Sequence, residues 1–159
     1  MAIFLRACGL TDASLALCDR ADAVEPVTMT EVVRAGTWRR LGDPGRTAAA
    51  FERALVLDPA NWSLYLDLAD VRAEQGDFAA AVRLVGRGLE HEPAEVTLRA
   101  AGAAYRARLT GRAEDLRELI ALAPAVPAAG YRGLLIDHTC AGPDLPPALV
   151  AEARALRDG

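Results

Sequence analysis

The chain has 159 residues, 52% of them apolar and 25% charged, with a net charge of −4. That length and balance fit one folded domain and exclude a disordered chain. Only 5% of the residues are aromatic, and Ala, Leu and Val carry the apolar content, which favours closely packed helices over a β-sandwich. All eighteen basic residues are Arg, and acidic and basic positions are interspersed without a basic stripe, so nucleic acid is not an expected partner.

The opening, "MAIFLRACGLTDASLALC", is apolar and ends near a cysteine, yet it is not expected to be a secretion signal. Arg6 and Asp12 interrupt it, and no basic segment precedes it. Nowhere does an apolar run approach the roughly 18 residues of a membrane span, so no membrane partner is expected. Cys8, Cys18 and Cys140 are odd in number and lack the C-x-x-C spacing of zinc or redox sites. Free thiols in a reducing compartment, and hence a cytoplasmic protein, are expected.

Further along, glycine and proline recur on one beat. Gly9, Gly42, Gly76, Gly111 and Gly142 are 33, 34, 35 and 31 residues apart, and Pro26, Pro59, Pro93 and Pro124 are 33, 34 and 31 apart. A glycine can take positive φ where one helix stops, and a proline ends the next helix, so the beat predicts a series of helical hairpins. The first, Gly9 to Pro26, is preceded only by "AIFLRAC", so the chain is expected to begin inside the array. Either it is a segment of a longer protein, or its first helix is short and its apolar edge, around Ile3, Phe4 and Leu5, is covered by something else.

In the next hairpin "TMTE" (Thr28 to Glu31) has capping-box spacing, and Asp43 with Pro44 suits the start of the following helix. Asn61 can cap the helix beginning at Trp62, and Asp77 repeats the role of Asp43. From Ile120 to Pro124 the spacing shrinks, which predicts a helix about one turn short. "LPPALVAEARALRDG" closes the chain, with Leu149, Ala153 and Leu156 on its apolar side and Glu152, Arg154 and Arg157 on its wet side.

These residues resemble the tetratricopeptide repeat, a 34-residue helix–turn–helix with the pattern W-x2-L-G-x2-Y, A-x3-F and P. Leu98, Ala101, Gly102 and Tyr105 match its first helix, as do Tyr65, Leu68 and Ala69. Phe51, Ala54 and Pro59 match the second helix, as do Ala81, Val85 and Pro93. Glu31, Arg34 and Arg72 depart from it, standing where the pattern has Trp, Leu and Tyr. The resemblance implies an all-α fold, a right-handed superhelix of about four to five antiparallel hairpins. One domain is expected over 1–159, with units at 2–27 (partial), 28–61, 62–95, 96–126 and 127–158 (a degenerate cap).

Stacked hairpins share one core and leave a curved surface free. The resemblance implies that first helices line its concave side and hold a protein or peptide. Positions opposite the core, three and four apart, are Val32, Gly36, Arg39 and Arg40; then Ser63, Asp67, Asp70 and Glu74, beside Leu66. Arg99, Ala103 and Arg106 follow, and finally Arg132, Ile136 and Thr139. Two readings of these charges stand open. They recognise a segment bearing both signs, Arg for its carboxylates and Asp67 and Asp70 for its cations; or they neutralise one another, Asp70 pairing with Arg99 or Arg106. Some members of the family hold acidic tails with Lys and Asn, but this chain has no Lys and a single Asn, and such a clamp is not expected.

No catalytic, cofactor or metal site is expected. "DHTC" brings Asp137, His138 and Cys140 close in sequence, but residues two apart on a helix point in different directions. His91 ends a helix, where its charge is favoured by the dipole. The expected function is therefore a non-catalytic interaction scaffold. The alternative is self-association, through the N-terminal edge, or docking within a larger and possibly enzymatic protein.

Overall fold

Glycine turns and acidic caps set the helix boundaries in the computed structural model, which describes residues 1–142 and 145–157. Among the described residues the chain is all-α, with no strand. In order the helices are α1 (Ala2–Ala7), α2 (Thr11–Asp22), α3 (Thr28–Arg40), α4 (Pro44–Leu57), α5 (Trp62–Glu74), α6 (Phe78–His91), α7 (Val96–Thr110), α8 (Ala113–Leu122), α9 (Ala129–Cys140) and α10 (Pro147–Ala155). A 3-10 turn, Ala123–Ala125, follows α8. The expected last unit, 127–158, includes residues 143, 144 and 158, which lie outside the described residues.

Gly9, Gly42, Gly76 and Gly111 all adopt positive φ. At Gly76 the turn is closed by hydrogen bonds from Gly76 N to Ala73 O and from Asp77 N to Arg72 O, both 2.9 Å. A side chain would be strained in that conformation. Gly142 breaks the series: its φ is not left-handed, and a Cβ there would stand 2.8 Å from Arg108 Nη1. Close approach of an arginine, not a turn, is what its lack of a side chain permits.

Asp43 accepts from Arg46 N and Asp77 from Ala80 N, each at 2.9 Å, and Asn61 accepts from Ser63 N at 3.2 Å. Each side chain satisfies an amide left free at a helix start. The capping box expected at "TMTE" is absent. Val27 precedes α3 without a side-chain cap, and Glu31 is buried instead, accepting from Arg53 Nε at 3.0 Å and lying 3.5 Å from Arg34 Nε. Arg34 also reaches Asp19 and Asp22 on α2. A charged cluster thus occupies the place of the large apolar pair usual in such hairpins. Its carboxylates and guanidinium offset one another's desolvation, which neither would tolerate alone.

The helices pack in sequence, α3 on α4, α4 on α5, α5 on α6, α6 on α7 and α7 on α8. Phe51, Tyr65, Leu68, Val85, Leu98 and Tyr105 fill the space between them. The alanines of α7 (Ala100, Ala101, Ala103, Ala104 and Ala107) are all buried, because this helix is covered by α5, α6, α8 and α9 together. Ala103, expected to face outward, is therefore inside. Helix α8 has 10 residues where α4 and α6 have 14 each, so the short third hairpin follows from its proline spacing. Ala153 is buried, Leu149 and Leu156 pack on the core, and α10 closes this end of the array.

Among the first helices α5 touches α7 and α7 touches α9, and among the second helices α8 touches α10. The side of α3, α5, α7 and α9 is the one expected to be concave.

Candidate functional site

On α5, Asp67, Asp70 and Glu74 recur at helical spacing and fall on the side toward α3, α7 and α9. Asp70 is 8% exposed. Its Oδ1 accepts the hydroxyls of Tyr105 on α7 and, at 2.8 Å, of Tyr131 on α9. Burial pushes its carboxyl above the usual range, while the two hydroxyls favour the charged form. Burial, reinforced by Asp70 itself, pushes both phenols upward, so they remain donors. One carboxylate thus ties three successive first helices together.

Asp67 lies one turn away, half-buried, and its pKa is raised to about 6. Burial is the first cause and the Asp70 charge the second, with Arg39 pulling the other way. Arg39 is ion-paired to Glu74, and both side chains are 40% exposed. Three carboxylates therefore share a single guanidinium. Beside that pair is a groove of about 320 Å³ lined by Arg39, Asp43, Thr47, Val71, Glu74 and Gln75.

The remaining expected residues are spread more widely. Arg40 and Arg99 are exposed. Ser63 turns its hydroxyl to Asn61 Oδ1 at 2.8 Å and serves the start of α5. Arg106 reaches Asp115 at 3.0 Å and Glu118 at 2.6 Å on α8. Asp70 therefore does not pair with Arg99 or Arg106, as one reading of the charges expected; the tyrosines have taken its place beside it. Arg132 is half-buried, and its Nε is enclosed without a hydrogen-bond partner. Ile136 and Thr139, expected to face outward, are fully buried, because α9 is covered by both α7 and α10. Helical spacing identifies one side of a helix but not what lies against it.

Tyr105 and Tyr131 are the site residues that sequence reasoning missed. Tyr105 matched a packing position, and packing explains the ring but not the hydroxyl, which needs a partner once buried. Asp70 stands 35 residues earlier, one repeat away, and that spacing was the available signal.

"DHTC" disperses. Asp137 pairs with Arg157 at 3.2 Å, and His138 borders a crevice beside Asp70, Glu74 and Tyr105. Cys140 is buried with its sulfur 4.0 Å from Val150 O, and burial pushes its thiol up. Among the described residues, no cluster of His, Cys, Asp and Glu is arranged to hold a metal ion, and no helix is long and apolar enough to cross a membrane.

This geometry of stacked hairpins has its counterpart in sequence: the tetratricopeptide repeat family model matches residues 39–109. Residues 39–109 are thus similar to tetratricopeptide repeats. The matched stretch runs from the end of α3 through α7, and so contains the α5 carboxylates and Tyr105. Among solved structures, the fold is similar to the crystal structure of MamA, with a TM-score of 0.66 over 99% of this chain and 91% of that one. The identity is 16%, so this likeness speaks for the solenoid fold alone. No curated protein matches the sequence. Tetratricopeptide repeats are in general protein-interaction modules.

Proposed function

We propose that this protein is a non-catalytic, cytoplasmic interaction scaffold whose concave side holds a peptide or partner segment bearing a cationic side chain. The observation that supports this reading is the imbalance on α5: Asp67, Asp70 and Glu74 face one guanidinium, and Asp67, its pKa raised first by burial and then by the Asp70 charge, makes no ion pair within the described residues. A Lys or Arg of the partner would supply it, and Asp67 and Glu74 would be its direct contacts. Asp70 supports the site by holding α5, α7 and α9 in register. Arg39 and Arg99 on the same side would meet carboxylates of the same segment.

The test compares partners captured by the wild type and by Asp67→Asn. Asp67 makes no hydrogen bond within the described residues, so this variant changes charge and leaves the fold intact. Loss of captured partners supports the concave acidic site, and an unchanged set removes it.

A second reading, self-association or docking through the N-terminal edge, is favoured by a separate observation. Met1, Ile3, Val27 and Met29 are exposed around an apolar groove of about 240 Å³ between α1, α2 and α3, and Phe4 is exposed on the same short helix. Sedimentation separates its two forms, because a monomer at high concentration rules out self-association.

A further inference from the structure

On the side of the second helices, expected to be convex, α4 and α6 do not pack on one another, and the opening between them is lined by charged side chains. A groove of about 270 Å³ runs there, floored by Leu68 of α5 and Leu84 of α6. Arg72, Arg83 and Arg87 line it, with Glu52 of α4 as the one carboxylate among its lining residues. That carboxylate is engaged by Arg72 at 2.8 Å. Arg83 and Arg87 are exposed on α6, four residues apart, and so project one turn from each other. Arg87 is held over the Tyr65 ring at 5.1 Å, and its Nη2 lies 3.4 Å from the Tyr65 hydroxyl. Neither Arg83 nor Arg87 makes an ion pair within the described residues.

We infer that this convex groove is a second docking site, and that its occupant is an acidic amphipathic segment of a partner protein. Two unpaired guanidiniums one helical turn apart match two carboxylates one turn apart, and planar guanidinium binds carboxylate through two parallel hydrogen bonds. The apolar floor selects the rest. Leu84, which is only half-buried, gains by covering with an apolar side chain between those carboxylates, which a nucleic-acid backbone does not offer. The chain is acidic as a whole, with a net charge of −4, so this patch is a local reversal of sign and gives an acidic partner one place to approach. The site is distinct from the acidic concave side in position and in charge, and the two would serve partners of opposite sign.

The experiment measures fluorescence anisotropy of a labelled synthetic peptide carrying glutamates four residues apart with leucine between them, at about 0.1 M salt. The full chain is expected to bind it, and not the same peptide with lysine for glutamate. Combined Arg83→Glu and Arg87→Glu is expected to weaken binding by about tenfold or more. Arg83→Glu alone, which loses no hydrogen bond or ion pair within the described residues, is expected to weaken it with an unchanged circular dichroism melt. Asp67→Asn is expected to leave this binding intact, so failure here and failure of the concave site are told apart. Absence of binding, equal binding by the Arg83→Glu variants, or loss through Asp67→Asn would overturn the assignment. So would displacement of the peptide by an unrelated single-stranded oligonucleotide of equal charge.

Discussion

Tyr131 donates its hydroxyl to Asp70 Oδ1 at 2.8 Å across 61 positions of sequence. The bond spans α7 and joins the degenerate last hairpin to the middle of the array, with Tyr105 donating to the same oxygen from α7. Such a tie restrains curvature, because sliding α9 along α7 would break it.

Tyr131→Phe keeps the ring and removes only that donor. It is expected to cost about 1–2 kcal/mol in urea unfolding, in line with the loss of a hydrogen bond to a buried carboxyl group. Amide exchange in α9 should quicken more than in α4. Unchanged stability together with unchanged exchange would mean that the bond restrains nothing.

Asp67 carries a pH signature. Its folded pKa, about 6, stands above the ordinary aspartate value of 3.8, so between those values the folded chain binds more protons than the unfolded one. Its contribution to stability is full below the unfolded value, falls as pH rises toward about 6, and levels off above. Asp67→Asn removes this slope and is expected to raise stability at neutral pH by about 1–2 kcal/mol. Urea titrations at intervals from pH 4 to 7 check it; the same slope in the variant contradicts the burial of Asp67.

Two glycines of α6 should respond in opposite directions to alanine. Gly86 faces open space, with nothing within 4 Å of where a Cβ would stand. Gly86→Ala is expected to stabilise by about 0.5–1 kcal/mol through helix propensity alone. At Gly88 a Cβ would stand 3.2 Å from Leu98 Cδ1, Leu98 Cδ2 and Tyr65 Cβ. Gly88→Ala is expected to destabilise by about 1–2 kcal/mol despite the same propensity gain, because the crossing of α5, α6 and α7 is too close. Thermal melts of the two variants decide it.

Most of the fold was legible because its signals are local. A glycine at a turn and an aspartate two or three residues before an amide act on their immediate neighbours, so Gly42, Gly76, Asp43 and Asp77 could be placed from spacing. "TMTE" was misleading for the opposite reason: Glu31 had Arg53 and Arg34 available from other helices, and ion pairing in the interior displaced the local cap. The concave side shows the same division. Its α5 carboxylates follow from helical spacing, whereas the burial of Asp70, Ile136 and Thr139 depends on how closely α9 approaches α5 and α10 covers α9. No periodicity encodes those distances. Arg83 and Arg87 carry no sequence signal of their own, because exposed arginines one turn apart are ordinary on a helix surface and only the neighbouring α4 and α5 make a groove beside them.

Binding of a cationic segment should itself depend on pH. A cation stabilises the ionised form of Asp67, so affinity is expected to fall as pH drops through about 6, with a matching release of protons on binding. Calorimetry in buffers of different ionisation enthalpy measures both, and an affinity independent of pH between 5 and 7 contradicts a contact to Asp67.

The central claim, that the carboxylates of α5 receive a partner's cation, is tested most directly by amide chemical-shift mapping. The isotope-labelled chain is titrated at pH 7 with pooled extended peptides bearing Lys or Arg, and separately with pools bearing Asp or Glu. The cationic pool is expected to shift amides at Asp67, Asp70, Glu74 and Arg39, and Asp67→Asn to abolish those shifts. Shifts confined to other helices, or the same α5 shifts from the acidic pool, would contradict it.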